Sequence, residues 1–200
     1  MTWFAKHGYA VASVDYSVNY SNRWPQPMED IKQAIRWLRA HAEEFNLDPD
    51  RIAVMGESAG GHLAALTGLV NDDRYDAGNN LDQSSAVQAV IPWYAPVSPV
   101  VLQKELVGMG CTREMLPADI ENYDNLLDLV SPGMPPFLIL HGATDHAVQL
   151  SHGENLHDAL EKAGNDVEMY IIEGADHADE RFIQPRVKEI ILLFLNEKLC

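Results

Sequence analysis

The chain has 200 residues, of which 46% are hydrophobic and 22% are charged, as expected for one globular domain with a sizeable core. Its 30 acidic and 14 basic residues leave a net charge of −16. This charge repels phosphate backbones and anionic membrane surfaces, which argues against nucleic-acid and membrane partners. No apolar run approaches the ~20 residues of a membrane-spanning helix, and the first residues lack a signal-peptide profile, so we expect a cytoplasmic protein.

Predicted strands and helices alternate along the chain. The strands are predicted at 9–16, 52–55, 87–91, 137–140 and 167–172. The helices are predicted at 2–7, 27–45, 62–66, 150–163 and 186–199. Residues 98–134 are interpreted as an irregular, partly helical insertion, similar to a cap. The alternation predicts an α/β fold, a three-layer α/β/α sandwich with a mainly parallel sheet, in a single domain over residues 1–200.

Neither the cysteines nor the histidines predict a metal site. Cys111 and Cys200 are too few for a disulfide framework and have no metal-binding spacing. His146, His152 and His157 follow Asp145 and could be interpreted as ligands, but a solvated helix face explains them better. We therefore expect no metal.

The motif Gly56-Glu57-Ser58-Ala59-Gly60 lies between the apolar strand 52–55 and the helix that follows. Gly-x-Ser-x-Gly in this position is typical of the nucleophile elbow of serine hydrolases. We expect a turn so tight that a Cβ two places to either side of the serine would clash. The turn would expose the Ser58 hydroxyl and place the Ala59 N–H at a helix N-terminus, where it can donate to an oxyanion. The alternative is a glycine-rich turn with an inert serine.

Two further residues at predicted strand ends complete a hydrolytic set. Parallel sheets collect their chemistry at the carboxyl ends of the strands, and Ser58, Asp145 and His177 follow three such ends. Serine, aspartate, histidine is the chain order of the α/β-hydrolases. His177 would remove the proton of the Ser58 hydroxyl, and Asp145 would fix the tautomer of the imidazole and stabilise its cation.

Five other residues near these strand ends receive weaker assignments. Glu57, Trp93 and Tyr94 are candidates for an acyl or sugar pocket, with core packing an almost equal alternative for the two aromatic residues. His141 is expected to make a structural hydrogen bond. His62 is expected to pack behind the serine on the elbow helix.

Together these motifs resemble the hormone-sensitive-lipase-like branch of the α/β-hydrolases, and within it the bacterial esterases related to feruloyl and acetyl-xylan esterases, the BD-FAE type. The resemblance covers essentially the whole chain. Its motifs are Trp24-Pro25-x-Pro27-Met28-Glu29-Asp30, 34–38, 48–52, Gly56–Leu63, His141-Gly142-x-x-Asp145-x-x-Val148 and 174–177. It implies a serine carboxylesterase that hydrolyses short-chain acyl or carbohydrate-linked (acetyl or feruloyl) esters through an acyl-enzyme, without metal or cofactor. The partner would be a small-molecule or carbohydrate ester, and a homo-oligomer is left open.

The sequence departs from this family in two places. Pro92 and Ala95 stand where relatives often carry Asp and Gly, which weakens any assignment of a particular substrate. Relatives also have three earlier strands, the third ending in a His-Gly-Gly-Gly loop that supplies the second oxyanion donor, and nothing here matches that loop. The resemblance thus implies an N-terminally truncated fold lacking the first strands, whose longer parent could be secreted. We then expect Tyr9–Tyr16 either to pair with Ile52–Met55 or to stay poorly ordered.

Two other functions stay open. A serine amidase or peptidase of the same fold would use the same three residues. A catalytically inactive, truncated protein that binds a ligand or partner is the second alternative. The intact Ser58, Asp145 and His177 argue against it, and the absent glycine loop argues for it.

Overall fold

The computed structural model describes residues 2–17, 24–110 and 119–199. Within these ranges, four parallel strands form one sheet in the order β1-β2-β3-β4. The strands are β1 (Ala53–Glu57), β2 (Ala89–Trp93), β3 (Phe137–Gly142) and β4 (Val167–Ile172). The helices are α1 (Thr2–Ala5), α2 (Gln26–Ala40), α3 (Ala42–Phe45), α4 (Ala59–Leu69), α5 (Pro99–Gly108), α6 (Leu150–Lys162) and α7 (Pro185–Leu199).

Helices cover both faces of this sheet. On one face α2, α4 and α6 pack against strand residues such as Val90 and Ile139. On the other face α7, with Phe4 of α1, packs against the alternate residues Ile91 and Leu140. Every residue of β3 is buried, as expected for a parallel strand with helices on both sides. The predicted three-layer α/β/α sandwich is confirmed.

The predicted first strand, Tyr9–Tyr16, does not form. The segment has no strand conformation, Val11 and Val14 are 40% and 36% exposed, and among the described residues β1 pairs with β2 alone. The prediction of a strand here, and of its pairing with 52–55, is wrong. An apolar run becomes a strand only where a neighbouring backbone supplies its hydrogen bonds, and its composition does not reveal whether that neighbour exists. The other alternative, poor order, stays a prediction.

Other predicted elements differ from the structure mainly in their bounds. β2 begins and ends two residues later than predicted, since it continues through Pro92 to Trp93. The helix predicted over 27–45 is interrupted at His41 and ends at Asn46, whose φ of 53° is left-handed. The described part of 98–134 contains α5 and two short 3₁₀ turns (Ile120–Asn122 and Leu126–Leu129).

Some predictions fall outside the described residues or remain untested. Residues 111–118, with Cys111, and Cys200 lie outside the described ranges. The assignment of 98–134 to a cap-like insertion of a single domain stays a prediction. In the described part of the chain, no helix is both long enough and apolar enough to cross a membrane.

Candidate active site

Ser58 occupies a strained turn between β1 and α4. Its φ of 53° and ψ of −119° lie in a region that costs a residue with a side chain about 1–3 kcal/mol. The surrounding backbone holds it there: the Ser58 N–H donates to the Trp93 carbonyl and the Ser58 carbonyl accepts from the His62 N–H, both at 3.0 Å. Ala59 begins α4, so its N–H belongs to the first turn, whose donors have no acceptor within the helix.

The close approaches at this turn involve Gly56 and Gly61. A Cβ at position 56 would lie 2.2 Å from the Gly60 carbonyl oxygen, and one at position 61 would lie 2.7 Å from the Trp93 carbonyl oxygen. A Cβ at position 60 would make only an ordinary contact, 3.8 Å from the Tyr16 hydroxyl. The expected clash two places to either side of the serine is therefore right for Gly56 and wrong for Gly60. At this turn the close approach of α4 to the sheet falls at Gly61, one residue later than the motif suggests.

We expect Gly56→Ala to lower the free energy of unfolding by about 3 kcal/mol, the upper range for overpacking. The added methyl meets backbone atoms of α4, which cannot rotate away as a flexible side chain would. Urea unfolding of the purified variant measures the change. Gly108→Ala is the matched control, because a Cβ at this position of α5 has nothing within 4 Å. Equal stability of the two variants would contradict the prediction.

Ser58, His177 and Asp145 form one continuous hydrogen-bonded chain. His177 Nε2 lies 2.9 Å from Ser58 Oγ, and His177 Nδ1 lies 2.8 Å from Asp145 Oδ2. Because the carboxylate only accepts, Nδ1 carries the proton, and the Nε2 lone pair faces the serine hydroxyl. The Asp145 side chain has no exposed surface, and its Oδ1 accepts the N–H groups of Ala147 and Val148 at 2.9 and 2.8 Å. The structure thus brings together the three residues that the sequence predicted as a set.

The loops after β3 and β4, which carry Asp145 and His177, contact each other closely. The Thr144 N–H and hydroxyl both donate to the Ala175 carbonyl, at 3.1 and 3.0 Å. A Cβ on Gly142 would lie 2.4 Å from the same carbonyl oxygen. These contacts join the acid and base loops on the side that precedes Asp145.

Tyr94 packs beside the base and is hydrogen-bonded to Glu57. Tyr94 is 1% exposed, its φ is 37°, and its hydroxyl donates to the Glu57 carboxylate. Burial and the hydrogen bond to Glu57 raise the pKa of this hydroxyl, so it stays protonated. Its ring meets the His177 ring edge-on, with centroids 4.6 Å apart at 64°. Tyr94 is therefore buried against the imidazole, and the predicted pocket role of Glu57 and Tyr94 stays a prediction.

Trp93, the other predicted pocket residue, packs against an aromatic residue that the sequence did not single out. Its ring stacks on Phe182 with centroids 5.7 Å apart, and Phe182 also meets Tyr94 at 4.6 Å. The indole Nε1 is buried without a hydrogen-bond partner among the residues that the structure describes. Phe182 belongs to the 3₁₀ turn Glu180–Ile183, which follows His177 in the sequence. This nearness to His177 in the sequence is the signal that could have indicated its contact with Trp93 and Tyr94.

His141 and His62 make the structural contacts expected of them. His141 is fully buried, its Nε2 donates to the Val148 carbonyl at 2.9 Å, and burial lowers its pKa. His62 Nδ1 donates to the Pro96 carbonyl at 2.8 Å and so holds the loop that follows β2. Burial lowers the pKa of His62 to about 4, so both rings are neutral at pH 7.

The buried His62 predicts a loss of stability in acid. Its pKa is about 4 in the folded chain, against an ordinary value of 6.5, so the unfolded chain binds more protons as the pH falls below 6.5. The free energy of unfolding should therefore fall by about 3 kcal/mol between pH 7 and pH 4 and then level off for this group. Urea unfolding across this range measures it. His62→Asn keeps a donor for the Pro96 carbonyl but does not titrate, and an equally steep fall in this variant would contradict the prediction.

The three histidines considered as metal ligands face three different carboxylates. The pairs are His146 with Asp176 at 3.1 Å, His152 with Glu105 at 3.0 Å and His157 with Asp158 at 3.2 Å. Across residues 2–17, 24–110 and 119–199, no three His, Cys, Asp or Glu side chains are grouped as a metal site. The solvated face predicted for these histidines is wrong for His152, which is 3% exposed because its Nδ1 accepts the Val97 N–H at 3.2 Å.

Comparison with known proteins shows that this chain is similar to one protein family and to curated ester hydrolases. Residues 1–160 match the model of the BD-FAE family. The chain is 31% identical over 180 residues to the probable carboxylic ester hydrolase LipM of Mycobacterium tuberculosis, covering 85% of this chain and 42% of LipM. It is 27% identical over 184 residues to an acetylxylan esterase of Xylanibacter ruminicola, covering 88% of this chain and 35% of that protein. This chain therefore spans less than half the length of either curated relative.

Solved structures agree on the fold. A truncated form of a carbohydrate esterase from gut microbiota superposes with a TM-score of 0.80 at 25% identity, over 93% of this chain and 73% of that one. The thermophilic esterase Est2 of Thermogutta terrifontis superposes with a TM-score of 0.73 at 29% identity, over 92% of this chain and 68% of that one. The α/β-hydrolase fold inferred from the sequence is confirmed.

Proposed function

The chain belongs to the BD-FAE family, and we propose that it is a serine carboxylesterase that forms an acyl-enzyme on Ser58. The observation that carries the proposal is the hydrogen-bonded chain from Ser58 through His177 to Asp145, with links of 2.9 and 2.8 Å. A serine hydroxyl is a weak nucleophile until a base within hydrogen-bond reach removes its proton. His177 has the position and the tautomer for this role.

The reaction follows from this geometry. Ser58 Oγ attacks the ester carbonyl carbon while His177 Nε2 takes the hydroxyl proton. The Ala59 N–H donates to the oxyanion of the tetrahedral intermediate, and the buried Asp145 carboxylate stabilises the imidazolium. When the intermediate collapses, the ester C–O bond breaks and His177 returns the proton to the leaving alcohol. Water, activated by the same imidazole, then hydrolyses the acyl-enzyme and frees Ser58.

We propose short-chain acyl or carbohydrate-linked esters as the substrate class. The support is similarity to an acetylxylan esterase and to a carbohydrate esterase, at 27% and 25% identity. The partner would be a small-molecule or carbohydrate ester, and every step above uses protein groups and water.

The test is hydrolysis of p-nitrophenyl acetate by the purified chain, with circular dichroism on the same sample. We expect turnover, and stoichiometric labelling by a serine-directed phosphonate that peptide mapping places on Ser58. Faster cleavage of a matched p-nitroanilide would favour the amidase alternative. A folded chain that neither turns over nor takes the label would overturn the proposal and favour the inactive binding protein.

A further inference from the structure

Asp176, next to the base in sequence, contacts both loops of the site. Its Oδ1 accepts the His177 N–H at 2.7 Å and the His146 N–H at 3.0 Å. Its Oδ2 lies 3.1 Å from the His146 ring Nδ1. One carboxylate therefore connects the backbone of His177 to the residue that follows Asp145.

We propose that Asp176 is a positioning residue that sets the distance between the Asp145 loop and the His177 loop. This inference rests on the proposed function, because it assigns Asp176 a part in the reaction of Ser58. The motif 174–177 contains Asp176, but neither that motif nor the chain order of the three predicted residues assigns it a role.

The two loops contact each other at two points, one on each side of Asp145 in the sequence. Thr144, before the acid, donates to the Ala175 carbonyl, and His146, after the acid, binds the Asp176 carboxylate. Ala175 and Asp176 are the two residues before His177. Two successive residues of one loop are thus hydrogen-bonded to the residues on either side of Asp145. Two such points fix both the separation and the relative rotation of the loops, which a single contact would not do.

Asp176 is exposed, so burial does not explain its place in the loop. Its side chain keeps 53% of its surface accessible. The N–H groups of His146 and His177 lower its pKa to about 2, because they donate to the ionised form. The carboxylate is therefore charged throughout the neutral range, and hydrogen bonds to an ionised acceptor are stronger than those between neutral groups.

The position of His177 controls two distances at once. Its ring must lie within hydrogen-bond reach of Asp145 on one side and of Ser58, which belongs to a different element, on the other. A misplacement of about 1 Å can lower a rate by on the order of 10²-fold. If the Asp176 contacts are lost, we expect His177 to spend less time in reach of Ser58. The effect should fall on kcat, since Asp176 acts through the base.

The experiment is a set of variants assayed for kcat and KM with p-nitrophenyl acetate. Asp176→Ala should lower kcat by roughly 10- to 100-fold with KM unchanged. Asp176→Asn keeps an oxygen that accepts both N–H groups, so it should recover most of kcat. His146→Ala removes only the ring contact and should have a smaller effect than Asp176→Ala. Asp158→Ala is the matched control, because it removes an exposed carboxylate from another His–Asp pair, on α6, and should leave kcat unchanged.

A second measurement does not depend on activity. Proton NMR should show the His177 Nδ1–H shared with Asp145 as a downfield signal, assigned by its loss in Asp145→Asn. In Asp176→Ala this signal should broaden or vanish through exchange with water, and in Asp176→Asn it should persist. If the variants change the Nδ1–H signal in this way but the wild-type chain hydrolyses no ester, the proposed function fails while the positioning role stands.

Unchanged kcat together with an unchanged Nδ1–H signal in Asp176→Ala would overturn the inference. If that variant does not fold, as judged by thermal unfolding, Asp176→Glu tests the positioning role instead. It keeps the charge but displaces the carboxylate by one methylene, so it should lower kcat, and a wild-type kcat would overturn the inference equally.

Discussion

Replacing Ser58 with alanine is expected to lower turnover of p-nitrophenyl acetate by about 10⁶-fold, the loss found when a catalytic serine is removed from a complete triad. The substitution removes the oxygen atom that attacks the ester carbonyl in the proposed mechanism. The turn itself should persist, because the Ser58 N–H and carbonyl, which bind Trp93 and His62, are unaffected. Circular dichroism should therefore be unchanged while labelling by a serine-directed phosphonate disappears.

Ser151→Ala is the matched control for this experiment. Ser151 is an exposed serine in the first turn of α6, so its replacement should change neither turnover nor labelling. If Ser58→Ala still took the label, the nucleophile would lie elsewhere and the assignment of Ser58 would be wrong.

The strands, helices and site residues that could be predicted from the sequence are those whose signal is local. The apolar run that became β3 is buried on both faces of the sheet, so its composition is sufficient to predict a strand. Ser58, Asp145 and His177 follow strand ends, and a parallel sheet brings such ends to one edge. That topology brings the three side chains near one another, where they form the 2.9 and 2.8 Å links.

Features that depend on a distant partner could not be predicted. The apolar run Tyr9–Tyr16 resembles a strand in composition, but a strand requires a neighbour that composition does not specify. His152 was predicted to lie on a solvated helix face, but it is buried and bonded to the Val97 N–H and to Glu105. Asp176 lies in the motif 174–177, but its contact could not be predicted because it depends on the position of His146, 30 residues earlier.

Two buried cations on α2 likewise could not be predicted from the sequence. Lys32 and Arg36 are fully buried, although charged side chains are almost never fully buried unless they are paired. Lys32 Nζ donates to the carbonyls of Asp72 and Arg74 at 2.6 and 2.5 Å, and Arg36 pairs with Asp76 at 2.6 Å. Both side chains bind the polar stretch after α4, so a buried charge here holds a loop in place. Charge patterning along one helix contains no information about the loop that covers it.

Asp145→Asn is expected to lower kcat/KM by about 10⁴-fold, the effect of the equivalent change in a well-studied serine protease triad. The site dictates how the new amide is oriented. Oδ1 of residue 145 accepts the Ala147 and Val148 N–H groups, so the amide oxygen must stay there and the NH₂ group must face His177. His177 Nδ1 would then accept a hydrogen bond, and its proton would move to Nε2. In that tautomer the ring donates to Ser58 Oγ and cannot take its proton.

The Asp145→Asn substitution separates the effect of the His177 tautomer from the effect of packing. The introduced asparagine side chain would have the same shape as the aspartate and keep its backbone contacts, so thermal unfolding should change far less than activity. The ring nitrogen signals of His177 in ¹⁵N NMR should exchange their protonated and unprotonated characters, while Asp158→Asn, at the exposed pair on α6, should alter neither signal nor rate. A fall of less than about tenfold in kcat/KM would contradict the prediction, since the wrong tautomer alone accounts for the larger loss. Asp145 would then hold the loop through Ala147 and Val148 without setting the proton position on the base.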